Sequence, residues 1–121
     1  MILSGKESLP LIEGGKGISI SNGQSSGAWA KSGGVGTFSG VNADSFDENG
    51  NLIEQKYYGK TRSERHQELI NFAIKGAITQ AREARDIAGK EAVLHMNILW
   101  EMAAAEKILT ETLDKASDII D

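Results

Sequence analysis

Apolar positions gather into three short runs, and each run is followed by a stretch with helical spacing. Leu9-Pro10-Leu11-Ile12 is closed by Gly14-Gly15 and predicts a first strand, with Pro10 near its start where a missing N–H is tolerated. Ser25 to Lys31 encloses Ala28, Trp29 and Ala30 and stops at Ser32-Gly33-Gly34, the pattern of a short helix with a glycine end. Val35 to Val41 predicts a second strand whose small residues imply close backbone approach. Residues 42–60 form a long excursion carrying Asn49-Gly50, a strong turn signal, between Phe46 and Leu52-Ile53. Thr61-Arg62-Ser63-Glu64 has the spacing of a capping box. Behind it, Ile70, Ile74, Ala77, Ile78 and Ala81 mark one face of a helix reaching about Ala88, with Gly89 as its stop. Val93 to Trp100 is apolar apart from His95 and Asn97, as expected of a strand buried on both faces. A last helix starts near residue 103, with Leu109, Leu113, Ala116 and Ile120 on its expected inner face.

The expected order is therefore β-α-β-(excursion)-α-β-α, with helices as right-handed crossovers between parallel strands. Three strands and three helices make half of an open sheet or three-eighths of a barrel, and the last helix runs to Asp121 without a stop signal. The chain is expected to be the opening part of a larger α/β enzyme. The alternative is a self-contained mini-domain, which so few strands rarely support.

Composition narrows the function classes. A net charge of −4 argues against general attraction to nucleic acid or to an anionic membrane. The absence of cysteine excludes disulfides, a thiolate nucleophile and cysteine metal sites. No apolar run reaches the length of a membrane span, and the N-terminus lacks a signal-peptide pattern, so a cytoplasmic location is expected. Eleven of the 14 glycines precede Asn51, which makes the first half rich in loops.

Among polar residues, the Gly14-Gly15-Lys16-Gly17 turn follows the first strand, where open backbone commonly meets a cofactor. The spacing fits neither a Walker loop nor a dinucleotide fingerprint, and a plain tight turn is the competing reading. Asn97 lies at the carboxyl end of the third strand, where a buried amide needs partners and where barrel sites form. His95, two residues earlier on the same side, reads as a core or orienting residue. His66 reads as solvated, and the two histidines give no metal-site spacing. Glu13 and Glu101 fall near strand ends and could face a cleft or pair with lysine. Ser25 and Ser26 read as helix caps, and Trp29 and Trp100 as packing residues. No serine–histidine–aspartate set can be assembled.

The segments LPLIEGGKGISISNG, AWAKSGGVGTFSGVNADS, YYGKTRSERHQELINFAI and HMNILWEM together resemble the opening of the nitronate monooxygenase (2-nitropropane dioxygenase) family, from about Leu9 to the last residues. The resemblance implies the first three βα units of a (β/α)8 TIM-type barrel, with residues 1–121 as the N-terminal part of one FMN-binding domain. It implies oxidation of alkyl nitronates with O2, in which oxidised flavin takes an electron from the nitronate and nitrite and a carbonyl product are released. By position, Gly14, Gly15 and Gly17 would lie against the flavin, with Lys16 beside its edge, and Asn97 would contact it. Many family members carry an apolar residue where Lys16 stands. The family's catalytic histidine lies beyond the end of this sequence, so no catalytic residue and no metal ligand is assigned. The isolated chain is expected to hold FMN weakly or not at all and not to turn over. The other readings are a companion chain that supplies the remaining segments, a non-catalytic remnant that works only as a homo-oligomer or other assembly, and an autonomous module for a phosphate-bearing ligand at Gly14–Gly17.

Overall fold

The computed structural model describes residues 1–102, 104–116 and 118–121. It opens on a small hairpin, β1 (Ile2–Leu3) antiparallel to β2 (Lys6–Glu7). Ser4 and Gly5 form its turn, with φ of 51° and 76°. Two left-handed residues in succession match the twist of a two-residue hairpin loop. Then follow α1 (Gly23–Lys31), β3 (Val35–Ser39), α2 (Arg62–Ala88), β4 (Val93–Asn97) and α3 (Ala105–Ala116). β3 and β4 pair in parallel, Val35 opposite Val93 through Ser39 opposite Asn97, and α2 is the crossover between them.

The expected first three βα units of a (β/α)8 TIM-type barrel are not what the chain forms. It has two separate two-stranded sheets, and the segment expected as the first strand is reduced to a single parallel bridge, Ile12 to Val35. The reason lies at Glu13. Leu9 N donates to Gly33 O, Val35 N to Leu11 O and Glu13 N to Val35 O, so a parallel ladder begins. Its next rung would be Thr37 N to the main-chain carbonyl of Glu13. The Glu13 carboxylate takes that N–H instead, at 3.0 Å from Oε2. Gly14 and Gly15 then carry the chain away from the sheet.

Most helix boundaries follow their local chemistry. Thr61 caps α2 as a full capping box: its hydroxyl accepts from Glu64 N at 3.1 Å and Glu64 Oε2 accepts from Thr61 N at 2.9 Å. The Thr61 and Lys60 amides hold the Glu64 carboxyl below its ordinary value. Gly89, with φ of 83°, ends the helix. The first helix starts two residues earlier than its sequence suggests. Asn22 is its cap, Ser25 completes the capping box from the N3 position, and Ser26 lies inside the helix. The Asn49-Gly50 turn closes a miniature hairpin with one bridge, Phe46 to Leu52.

The core lies between the helices and one side of the β3–β4 pair. Phe38 and Leu94 pack with Ala30, Ala81 and Ala84, while Ile70, Ala73 and Ala77 pack with Ala104 and Ile108. The expected inner face of α3 is met in part: Ala116 is buried as expected, and Ile120 packs against the core. The buried residues of α3 are Ala105, Ile108, Thr112 and Ala116, whereas Leu109 is half-buried and Leu113 is exposed.

Small residues let backbones touch. A Cβ at Gly23 or Gly27 would press on α2 at Gln80 O (2.5 Å) or Ala84 O (2.9 Å). Gln80 itself is buried, and its side chain links two elements. Oε1 accepts from Gly23 N at 2.6 Å and Nε2 donates to Asp44 O at 2.7 Å. Gln80→Leu leaves both main-chain groups without these partners. The expected cost is about 2 kcal/mol, read as a lower urea midpoint with unchanged slope. A loss below about 0.5 kcal/mol, the level of a neutral surface substitution, would show that the two bonds contribute nothing net.

Candidate functional site

The carboxyl ends of β3 and β4 meet the turn that follows the Ile12 bridge. Asn97, the last residue of β4, donates from Nδ2 to Gly15 O at 3.2 Å. A Cβ on Gly15 would lie 2.5 Å from Asn97 Cβ and 3.1 Å from Thr37 Cγ2. Only glycine permits this approach. Two of the expected site elements, the glycine turn and Asn97, are therefore brought into direct contact.

Ser21 fixes the shape of the turn. Its hydroxyl accepts from Lys16 N at 3.0 Å and donates to Gly14 O at 2.9 Å. Its amide donates to Lys16 O at 3.1 Å, and its carbonyl accepts from Ser39 N at 2.8 Å. This closure forces Ile18 and Ser19 into left-handed conformations, φ 53° and 57°. A β-branched residue rarely adopts that region. Glu13 anchors the other end of the turn, since Oε1 accepts from Ser25 Oγ at 2.9 Å while Oε2 holds Thr37 N.

Gly14, Lys16, Gly17 and Asn97 are exposed, and Gly15 is half-buried. A Cβ at Gly14 or Gly17 would meet nothing within 4 Å, so the outer side of the turn is open. Among the described residues, the amides of Gly14, Gly15 and Gly17 have no hydrogen-bond partner. Asn97 Oδ1 is likewise free to accept, because Nδ2 makes the contact to Gly15. Such a surface offers donors to an anion, one acceptor to an N–H, and the exposed side chains of Leu99 and Trp100 just beyond β4.

The remaining candidates are dispersed. His95 is half-buried in β4, opposite Thr37. His66 is exposed near the start of α2 and Glu101 is exposed after β4. Trp29 is half-exposed on α1, with Nε1 placed 3.4 Å from Leu11 O. Among the described residues, no group of three histidine, aspartate or glutamate side chains is arranged to hold a metal. Nor is any helix long and apolar enough to cross a membrane. The reading from sequence missed Glu13 as the clamp of the turn and Ser21 as its closure. Ser21-Asn22-Gly23 offered a signal for the second, being a polar cluster just ahead of a helix.

No protein-family model matches the chain, and no curated protein matches it.

Proposed function

We propose that the Gly14–Gly17 turn and Asn97 form one wall of an FMN site in an oxidoreductase that resembles the nitronate monooxygenases. The observation that carries this reading is the contact between Asn97 Nδ2 and Gly15 O, which joins the two segments the resemblance assigns to flavin. The residues fit such a group. The free amides of the turn suit the ring carbonyls of the flavin, with the Lys16 ammonium beside its edge, and Asn97 Oδ1 suits its ring imide. FMN, when bound, would supply the electron acceptor. The chain's residues would seat it and exclude water from one side.

One wall buries little of a ligand, so affinity is expected to be weak and turnover absent for the chain alone. The test is amide chemical-shift mapping during titration with FMN. Shifts centred on Gly14–Gly17 and Asn97, and weakened in Asn97→Ala, are the expected result. An unperturbed spectrum at millimolar FMN, or shifts centred elsewhere, would overturn the assignment.

A second reading is a non-catalytic module that acts through association. It is favoured by large apolar side chains left in the open around the same sheet, with Ile12 58% and Trp100 68% exposed.

A further inference from the structure

The sequence contains Asn-Gly twice, at Asn22-Gly23 and at Asn49-Gly50. This dipeptide carries a reaction of its own. The glycine amide nitrogen can attack the asparagine side-chain carbonyl carbon, because glycine has no Cβ to obstruct the approach. A bond forms from that nitrogen to Cγ and the Cγ–Nδ2 bond breaks, so that ammonia leaves and a five-membered succinimide remains. Water then opens either of two C–N bonds of the ring and yields aspartate or isoaspartate. The attack requires an amide N–H that can be given up, a side chain free to turn onto it, and room for the ring.

The fold withholds all three from Asn22. The Gly23 N–H donates to the buried Gln80 Oε1 at 2.6 Å. Asn22 Oδ1 accepts from Ser25 N at 2.9 Å as the cap of α1. Gly23 is buried, and a Cβ there would lie 2.5 Å from Gln80 O, so α2 main chain fills the space. To react, this step must give up both a helix cap and a buried hydrogen bond.

Asn49 has the opposite surroundings. Every residue from Phe46 to Leu52 is exposed. The Asp47 carboxylate accepts from the main-chain amides of Asn49 and Asn51, each at 2.9 Å. Among the described residues, the Asn49 side chain itself has no hydrogen-bond partner. A Cβ on Gly50 would meet nothing within 4 Å. The Gly50 N–H donates to Asp47 O at 3.0 Å, a bond internal to the turn. Water can replace it with no movement of α1, α2 or β3.

We propose that Asn49 is a site of spontaneous covalent modification in the folded chain, converted to aspartate or isoaspartate by loss of ammonia and uptake of water, and that the fold protects Asn22. Isoaspartate routes the main chain through Cβ and Cγ, which adds one methylene between residues 49 and 50. The hydrogen bond from Asp47 N to Asn51 O and the bridge from Phe46 to Leu52 then fall out of register. Either product adds one negative charge to a chain of net charge −4. The inference is independent of flavin binding, since it involves neither Gly14–Gly17 nor Asn97.

Peptide mapping by mass spectrometry on the full chain, aged at mildly alkaline pH, tests it. The expected result is a gain of one mass unit in the peptide that holds Asn49, growing with time and faster at higher pH. Methyl transfer by an isoaspartyl methyltransferase should label the same peptide. Asn22 should convert at least about tenfold more slowly, the factor that about 1.4 kcal/mol of added barrier gives. The same ageing in guanidinium chloride provides the decisive comparison. With the helix cap and the Gln80 contact gone, the two sites should convert at similar rates. A folded chain in which Asn22 reacts as fast as Asn49 overturns the inference. So does a folded chain that keeps Asn49 intact over the time in which the denatured chain loses it. A rate ratio that persists unchanged in denaturant overturns it too, because neighbouring sequence rather than the fold would then set the difference.

Discussion

Gly76→Ala is expected to cost about 3–4 kcal/mol. The position lies mid-way along α2, where alanine would normally gain about 1 kcal/mol of helix propensity. Packing reverses that sign. A Cβ at Gly76 would overlap the main-chain carbonyl of Ala43, in the segment leaving β3. The obstacle is backbone on both sides, so no rotamer change relieves it. Either the 40–45 segment lifts from α2, or α2 shifts off the core formed by Ala73 and Ala77. Lifting the segment also strains the Gln80 Nε2 bond to Asp44 O and the hydroxyl contact between Ser45 and Thr79 at 3.2 Å. For a domain of this size the loss corresponds to a fall in midpoint of about 15 °C or more by calorimetry. A midpoint within a few degrees of wild type would mean that the close contact is not present in solution.

Asp121→Ala is expected to cost about 3 kcal/mol at neutral pH. The Asp121 side chain is only 9% exposed. It ties the last residue to three elements, β2, α2 and β4. Oδ1 lies 2.8 Å from Lys6 Nζ on β2, and Oδ2 lies 2.8 Å from Arg85 Nη2 on α2. Oδ2 also accepts from Leu94 N on β4 at 3.0 Å, while the Asp121 amide donates to Leu94 O at 2.9 Å. Arg85 in turn donates to the carbonyls of Gly89, Ala92 and Ile119. Removing the carboxylate leaves two cations partly buried without their anion. The pH dependence has a definite sign. Burial alone would raise the Asp121 pKa, but the hydrogen bonds from Lys6, Leu94 N and Arg85, with the Lys6 charge, bring it below the ordinary 3.8. A depressed folded value means the contribution is complete above the unfolded value and is lost as pH falls through the folded one. The stability gap between wild type and Asp121→Ala should thus be constant from neutral pH down to about pH 5. It should close below about pH 4. Denaturant midpoints across that range read it directly, and a gap that persists unchanged well below pH 3 contradicts a carboxylate origin.

Local chemistry made much of the chain legible before its coordinates. Thr61 to Glu64 fixed the start of α2 and Gly89 its end because both signals act within one helical turn. Asn49-Gly50 announced its turn for the same reason. The glycine turn and Asn97 could be singled out separately, although their contact spans 82 positions and no local pattern encodes it. The failures share one cause. The expected first strand gave way because a side chain, Glu13, outcompeted its own carbonyl for Thr37 N. That depends on where β3 sits rather than on residues 9–13. The expected inner face of α3 was right at Ala116 and wrong at Leu113, because leucine outranks threonine on any hydropathy pattern, yet Thr112 is buried and Leu113 is exposed. Gln80 carries no local signal of its role, because its partners, Gly23 and Asp44, lie 57 and 36 positions away. The Ser4-Gly5 turn was readable in principle, as a flexible dipeptide between apolar and polar pairs.

The contacts at Gly23, Gly36 and Gly76 share one property: the atom that an added Cβ would meet first is main chain. Where the first neighbour is the far end of a side chain, a torsion can absorb part of a gained methyl. At these positions the only response is movement of a whole element. Substitutions should therefore be tolerated hardly at all at these three glycines. The joints between α1, β3 and α2 would set the pace at which this sequence can diverge while keeping its shape.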